Sequence, residues 1–171
     1  MKLLYVVLWG LVSVLSVVAT PERDEGADPV TVRIVPTSCG DDARRSLRTE
    51  HFFVVVSNTS EKPVRLWKEF CSWGYTTLSF QVEGQSGKRS VVVKTRRPVW
   101  RKNTPDWMTI TPGDHMVFNV AFGSQSWQTE PLTGEIKLKA VFEISKDKQT
   151  DEHKVWTGRI ESPQHTYTIH R

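Results

Sequence analysis

In the stretch Ile136-Lys137-Leu138-Lys139-Ala140-Val141-Phe142-Glu143-Ile144, the residues Ile136, Leu138, Ala140, Phe142 and Ile144 alternate with Lys137, Lys139 and Glu143. A period of two belongs to an extended chain with one face on a core and the other in water. Reading outward, the same period recurs. Met116, Phe118, Val120 and Phe122 line one face of a run opposed by His115, Val117, Asn119 and Ala121. Leu78, Phe80 and Val82 alternate with Ser79, Gln81 and Glu83, and Val30, Val32 and Ile34 alternate with Thr31 and Arg33. Phe52 to Val56 is apolar throughout, as expected of a central strand covered on both faces. Helical periodicity is scarce.

Turn chemistry separates these runs. Asn58-Thr59-Ser60-Glu61-Lys62-Pro63 carries side chains that cap local backbone and a proline that cannot donate to a ladder. Thr111-Pro112-Gly113-Asp114 fits a type II turn, with glycine where φ must be positive. Gly84-Gln85-Ser86-Gly87 is a third turn, leading into Ser90 to Lys94. Val64, Leu66, Trp67, Phe70 and Trp73 form an aromatic-rich stretch; Met108 to Ile110, Val155 to Ile160 and Thr166 to His170 complete the extended runs. Ser38 to Glu50 reads as a loop or one helical turn. The sum is an all-β antiparallel sandwich of about eight or nine strands, favoured over a barrel by its long connections.

The first residues are of another kind. Lys2 precedes an apolar run from Leu3 to Val18, about 16 residues and short of the roughly 20 that cross a bilayer. Val17-Val18-Ala19 supplies small residues before Thr20 and Pro21. Residues 1–19 therefore read as a signal helix cleaved near Ala19, residues 20–29 as a flexible leader, and residues 30–171 as the sandwich. The expectation is a secreted or periplasmic protein with no stable membrane span after cleavage. The formal charge is +4, or +3 without Lys2, too little to imply a nucleic-acid partner. Export places Cys39 and Cys71 in an oxidising compartment. Their pairing would close a loop of about 31 residues and contribute about 3–4 kcal/mol on the chain-entropy account. The competing reading leaves Cys71 as a buried thiol and Cys39 in an exposed loop.

The stretch Val56-Ser57-Asn58-Thr59-Ser60-Glu61-Lys62-Pro63-Val64 resembles the opening of many bacterial immunoglobulin-like domains, including proteinase-inhibitor-like sandwiches. Thr111-Pro112-Gly113-Asp114-His115-Met116-Val117-Phe118 resembles their Pro-Gly-acidic hairpin, and Val155-Trp156-Thr157-Gly158-Arg159-Ile160-Glu161-Ser162-Pro163 their closing strand pair. Leu66-Trp67-Lys68-Glu69-Phe70-Cys71-Ser72-Trp73-Gly74-Tyr75 is similar to exported bacterial proteins. The resemblance implies an immunoglobulin-like fold. These motifs are turn and core signals, so no chemistry travels with them, and no reactive-site loop of an inhibitor is matched.

Catalytic and metal patterns are sparse. His51, His115, His153, His165 and His170 are scattered over different elements, without the local pair that a zinc site usually has. Asp41-Asp42 lacks the glycine-punctuated acidic loop of a calcium site. Gly-x-Ser-x-Gly does not occur, and neither cysteine has a catalytic-type flank. The expectation is a non-enzymatic protein with no catalytic residue, cofactor or metal.

Two binding features stand out. Lys88, Arg89, Lys94, Arg96, Arg97, Arg101 and Lys102 put seven cations within fifteen residues without an acidic residue. Such a segment suits an anionic polysaccharide, lipid headgroups or an acidic partner, and equally a solvated edge strand guarded against aggregation. Trp100, Trp107 and Trp127 fall in predicted loops, whereas Trp67, Trp73 and Trp156 are expected to plug the sandwich ends. The candidate binding surface is thus Arg96, Arg97, Trp100, Arg101, Lys102 and Trp107, facing a protein or glycan at the cell envelope. A proteinase inhibitor and a hydrolase are the alternatives, to be recognised by a rigid exposed loop or by a cleft of convergent reactive groups.

Overall fold

The alternating runs become strands in the computed structural model, which describes residues 28–37, 46–48, 51–95, 103–124, 126–127, 129, 132 and 134–170. In chain order these are β1 (Val30–Pro36), β2 (Ser46–Arg48), β3 (Phe52–Asn58), β4 (Val64–Trp67), β5 (Leu78–Glu83), β6 (Arg89–Val93), β7 (Trp107–Ile110), β8 (His115–Val120), β9 (Gly134–Ile144), β10 (Gly158–Glu161) and β11 (His165–His170), with one helix, α1 (Lys148–His153), between β9 and β10. Eleven strands thus stand among the described residues, against the eight or nine expected. The surplus includes β2, in the segment read as a loop or helical turn. Residues 1–27, with the signal and most of the leader, lie outside the described residues.

One sheet has the order β1-β3-β8 and a second β2-β11-β9-β5-β6, with β10 also on β9; β4 and β7 form a two-stranded ribbon. All pairings are antiparallel except β11 with β2. Strand β9 is the spine of the second sheet, and its inward residues are buried as the alternation requires, Leu138, Ala140 and Phe142 completely. Strands β10 and β11 follow one another along a single side of β9. Between Glu161↔Val141 and His165↔Leu138 the register gains one residue on their side. Pro163, which has no N–H to give, falls in that bulge, and Ser162 bridges it by donating its N–H to Ala140 O at 2.8 Å and accepting Ala140 N–H at 2.9 Å.

The two sheets share one core, giving a β-sandwich-like arrangement. Phe52 of β3 meets Phe80 of β5 edge-on at 5.5 Å, and Phe122 lies 5.0 and 5.1 Å from these two rings. Phe118 of β8 meets Phe142 of β9 at 5.9 Å. Burial of each such ring contributes about 1.5–3 kcal/mol, and the edge-on geometry suits the ring quadrupoles.

The β4–β7 ribbon continues β3 and β8 past a corner. There Gly113, at φ +84°, and the Asp114 N–H bond to Thr111 O at 3.0 Å complete the turn predicted at Thr111–Asp114. The corner turns the ribbon toward α1. That helix starts at Asp147, whose carboxylate accepts the Thr150 N–H at 2.7 Å, while Thr150 Oγ1 accepts the Asp147 N–H at 2.8 Å.

Candidate functional site

The basic segment is bracketed by described residues on both sides. Arg96, Arg97, Trp100, Arg101 and Lys102 themselves lie outside the described residues, as does Cys39. On the entering side, Lys94 follows β6 directly and departs from the surface patch in which its charge placed it. It is 7% exposed, its ammonium pairs with the Glu69 carboxylate, and Nζ lies 4.5 Å from the Tyr75 ring centre and 5.4 Å from that of Trp127. Two ring faces and one carboxylate offset the loss of water around the cation. Thr95 then donates its N–H to Ser126 O at 3.1 Å.

On the leaving side, Asn103 Oδ1 accepts the Ser72 N–H at 3.2 Å and Nδ2 donates to Ser72 Oγ at 2.7 Å. Asp106 pairs with Lys68 at 2.9 Å and its backbone oxygen accepts the Lys68 N–H at 2.9 Å. Glu69, Ser72 and Lys68 belong to one turn, residues 68–77, which therefore ties down both ends of the segment. Gly74 is obligatory in this turn: a Cβ there would lie 2.1 Å from Lys68 O.

Cys71 is a buried thiol in the same turn, donating to Lys68 O at 3.2 Å, with Asp106 O at 3.4 Å. Beside it Phe70 projects into solvent, 84% exposed. Its place in an aromatic-rich run gave no hint of this. The neighbouring residues could have signalled it, since Lys68, Glu69, Ser72 and Gly74 interrupt any strand period there.

Trp107 begins β7 and is half-buried. Its ring stacks on His153 at 4.4 Å, meets Trp67 edge-on at 6.4 Å, and lies beneath the Arg65 guanidinium at 5.8 Å. Trp127 is no surface residue: it is 2% exposed and packs edge-on against Phe80 at 5.2 Å. Trp67 is buried and Trp73 and Trp156 are partly buried against the core. Lys88 and Arg89 remain on the surface, Arg89 paired with Glu83 at 2.9 Å. Among the described residues no three His, Cys, Asp or Glu side chains gather as a metal site would require.

No protein-family model matches this chain. No curated protein matches it in sequence either. The functional reading accordingly rests on the residues themselves.

Proposed function

We propose that this chain is an exported, non-enzymatic, immunoglobulin-like module that is released by cleavage near Ala19. It binds a protein or glycan at the cell envelope through Arg96, Arg97, Trp100, Arg101 and Lys102, with Trp107 alongside. The observation that supports this is the double anchorage of the segment's ends on turn 68–77, through Lys94 with Glu69 and Asn103 with Ser72. Ends held before a partner arrives reduce the ordering that binding must pay for. Exposed Phe70 on that turn adds the kind of large apolar side chain that anchors interfaces.

The test is retention of envelope proteins and arrayed glycans by the mature domain, compared with a Trp100→Ala/Trp107→Ala variant and an Arg96→Gln/Arg97→Gln/Arg101→Gln variant. Loss of retention in either variant, with its fold intact by circular dichroism, is the expected outcome. Retention equal to wild type in both would refute the reading. A proteinase-inhibitor reading draws on the same anchorage, because an inhibitory loop needs rigid ends. It predicts stoichiometric inhibition of a trypsin-like proteinase, lost in the arginine variant.

A further inference from the structure

A cleft of about 670 Å3 opens where the β4–β7 ribbon meets α1, lined by Val64, Arg65, Thr109, Asp151, Lys154 and Trp156 among others. It lies outside the basic segment, and three of its side chains are held in ways that favour a ligand. Arg65 is oriented by donation from a terminal guanidinium nitrogen to His153 O at 2.8 Å and by the Trp107 ring beneath it. A guanidinium has five N–H groups in a planar fork, so one such bond leaves a bidentate edge in hand.

Lys154 caps α1 at φ 54°, ψ 42°, a left-handed conformation that ordinarily favours glycine or asparagine. It sets an exposed ammonium at the cleft. Among the described residues neither Arg65 nor Lys154 has a carboxylate partner. Trp156 presents a rigid indole: it lies nearly parallel to Phe142 at 6.0 Å, and a Cβ on Gly158 would come within 2.6 Å of it. Its N–H to Arg65 O bond, 2.9 Å, ties the indole's backbone to the strand that carries the arginine.

We propose that this cleft binds a pyranose ring carrying a carboxylate, a hexuronate unit of an acidic glycan. The carboxylate pairs with the Arg65 fork and the Lys154 ammonium, the C–H face of the sugar lies on the Trp156 indole, and Asp151 and Thr109 take the ring hydroxyls. Asp151, paired with Lys146 at 3.6 Å, sets a carboxylate beside the two cations, which suits a sugar with one carboxylate and disfavours a denser polyanion such as phosphate. The proposal deepens the glycan branch of the function above and shares with it only Trp107, which here orients Arg65; the arginine variant leaves Trp107 in place, so either can fail without the other.

The experiment is calorimetric titration of the mature domain with trigalacturonate, a neutral trisaccharide, inorganic phosphate and a hexaglutamate peptide, with tryptophan emission followed in parallel. Saturable binding of trigalacturonate alone, accompanied by a change in emission, is expected. Lys154→Gly removes the ammonium at a backbone position that suits glycine. It should weaken binding about tenfold, the effect of losing one charge-assisted contact, without lowering the urea midpoint. The Arg96→Gln/Arg97→Gln/Arg101→Gln variant should bind trigalacturonate as wild type does, whatever its retention of envelope material. Absence of saturable trigalacturonate binding, unchanged affinity in Lys154→Gly, or equal binding of phosphate or hexaglutamate would each overturn the assignment.

Discussion

Asn58 sits at the corner where β3 gives way to β4 and uses its whole amide there. Nδ2 donates to Lys62 O at 2.7 Å and Ile110 O at 3.0 Å, while Oδ1 accepts from the Ser60 N–H at 3.0 Å and the Ser60 hydroxyl at 2.8 Å. At 1% exposure no water replaces these partners, so Asn58→Ala should cost about 2–4 kcal/mol, measured as a lower urea midpoint. Asn58→Asp should cost nearly as much, because it faces two carbonyl oxygens with a third acceptor; a wild-type midpoint in either variant would contradict this account of the corner. The sequence showed that a turn stood here but not that the asparagine was buried in it. Lys94 was legible in part: it shares the period-two phase of buried Val92, whereas its neighbours in sequence suggested a surface patch. Removing its partner by Glu69→Ala should cost about 3 kcal/mol, since an ammonium then stays buried without a counter-charge, whereas Lys94→Met should cost about 1 kcal/mol or less. Equal losses for the two variants in chemical denaturation would show that the pair itself, rather than the desolvated cation, governs the energetics.

Among the elements, β9 and its neighbours carry a ladder of exposed ion pairs. On the outward face of its sheet Glu83 bridges Lys137 at 2.7 Å and Arg89 at 2.9 Å, while Arg159 bridges Glu143 at 2.7 Å and Glu161 at 2.8 Å, and Lys139 also reaches Glu161 at 2.7 Å. Hydrogen bonds from Lys137 and then Arg89 hold the Glu83 carboxyl below its ordinary 4.5, and those from Lys139 and then Arg159 do the same for Glu161. A carboxyl lowered by folding stabilises the folded state above its unfolded pKa and loses that contribution as pH falls through the folded value. The stability of the domain should therefore decline below pH 4.5, less steeply in a Glu83→Gln/Glu161→Gln variant and less in high salt, which screens these exposed pairs. Parallel acid profiles for variant and wild type in circular dichroism would remove this ladder as a source of acid sensitivity. The strands with long alternation were legible because burial on one face writes itself into every second residue. Helix α1 was not, since six residues are too few to display a helical period; its start at Asp147 and Thr150 was the only local signal. Strand β2, three residues long, is shorter still, and its parallel pairing with β11 depends on residues more than a hundred positions apart in the chain.

For the whole molecule, the sequence disclosed which residues face inward but not which strands are neighbours, because the connections from β3 to β8 and from β5 to β9 are settled by long-range packing. The candidate site was legible as charge and tryptophan content, whereas its anchorage on turn 68–77 and the cleft beside α1 arise only when distant segments meet. What unites the two sheets is the ring cluster in which Phe80 touches Phe52, Phe122 and Trp127. Because Phe80 belongs to the second sheet and Phe52 to the first, loss of this ring loosens both layers at once. Phe80→Ala should cost about 3–5 kcal/mol through lost burial and the cavity left behind. For a domain of this size that lowers Tm by about 10 °C or more. The unfolding transitions seen by far-ultraviolet circular dichroism, which follows the strands, and by fluorescence, to which Trp127 beside Phe80 contributes, should still coincide. Separate transitions in this variant would mean that the sheets hold together independently and that the shared core is not what makes the sandwich one cooperative unit.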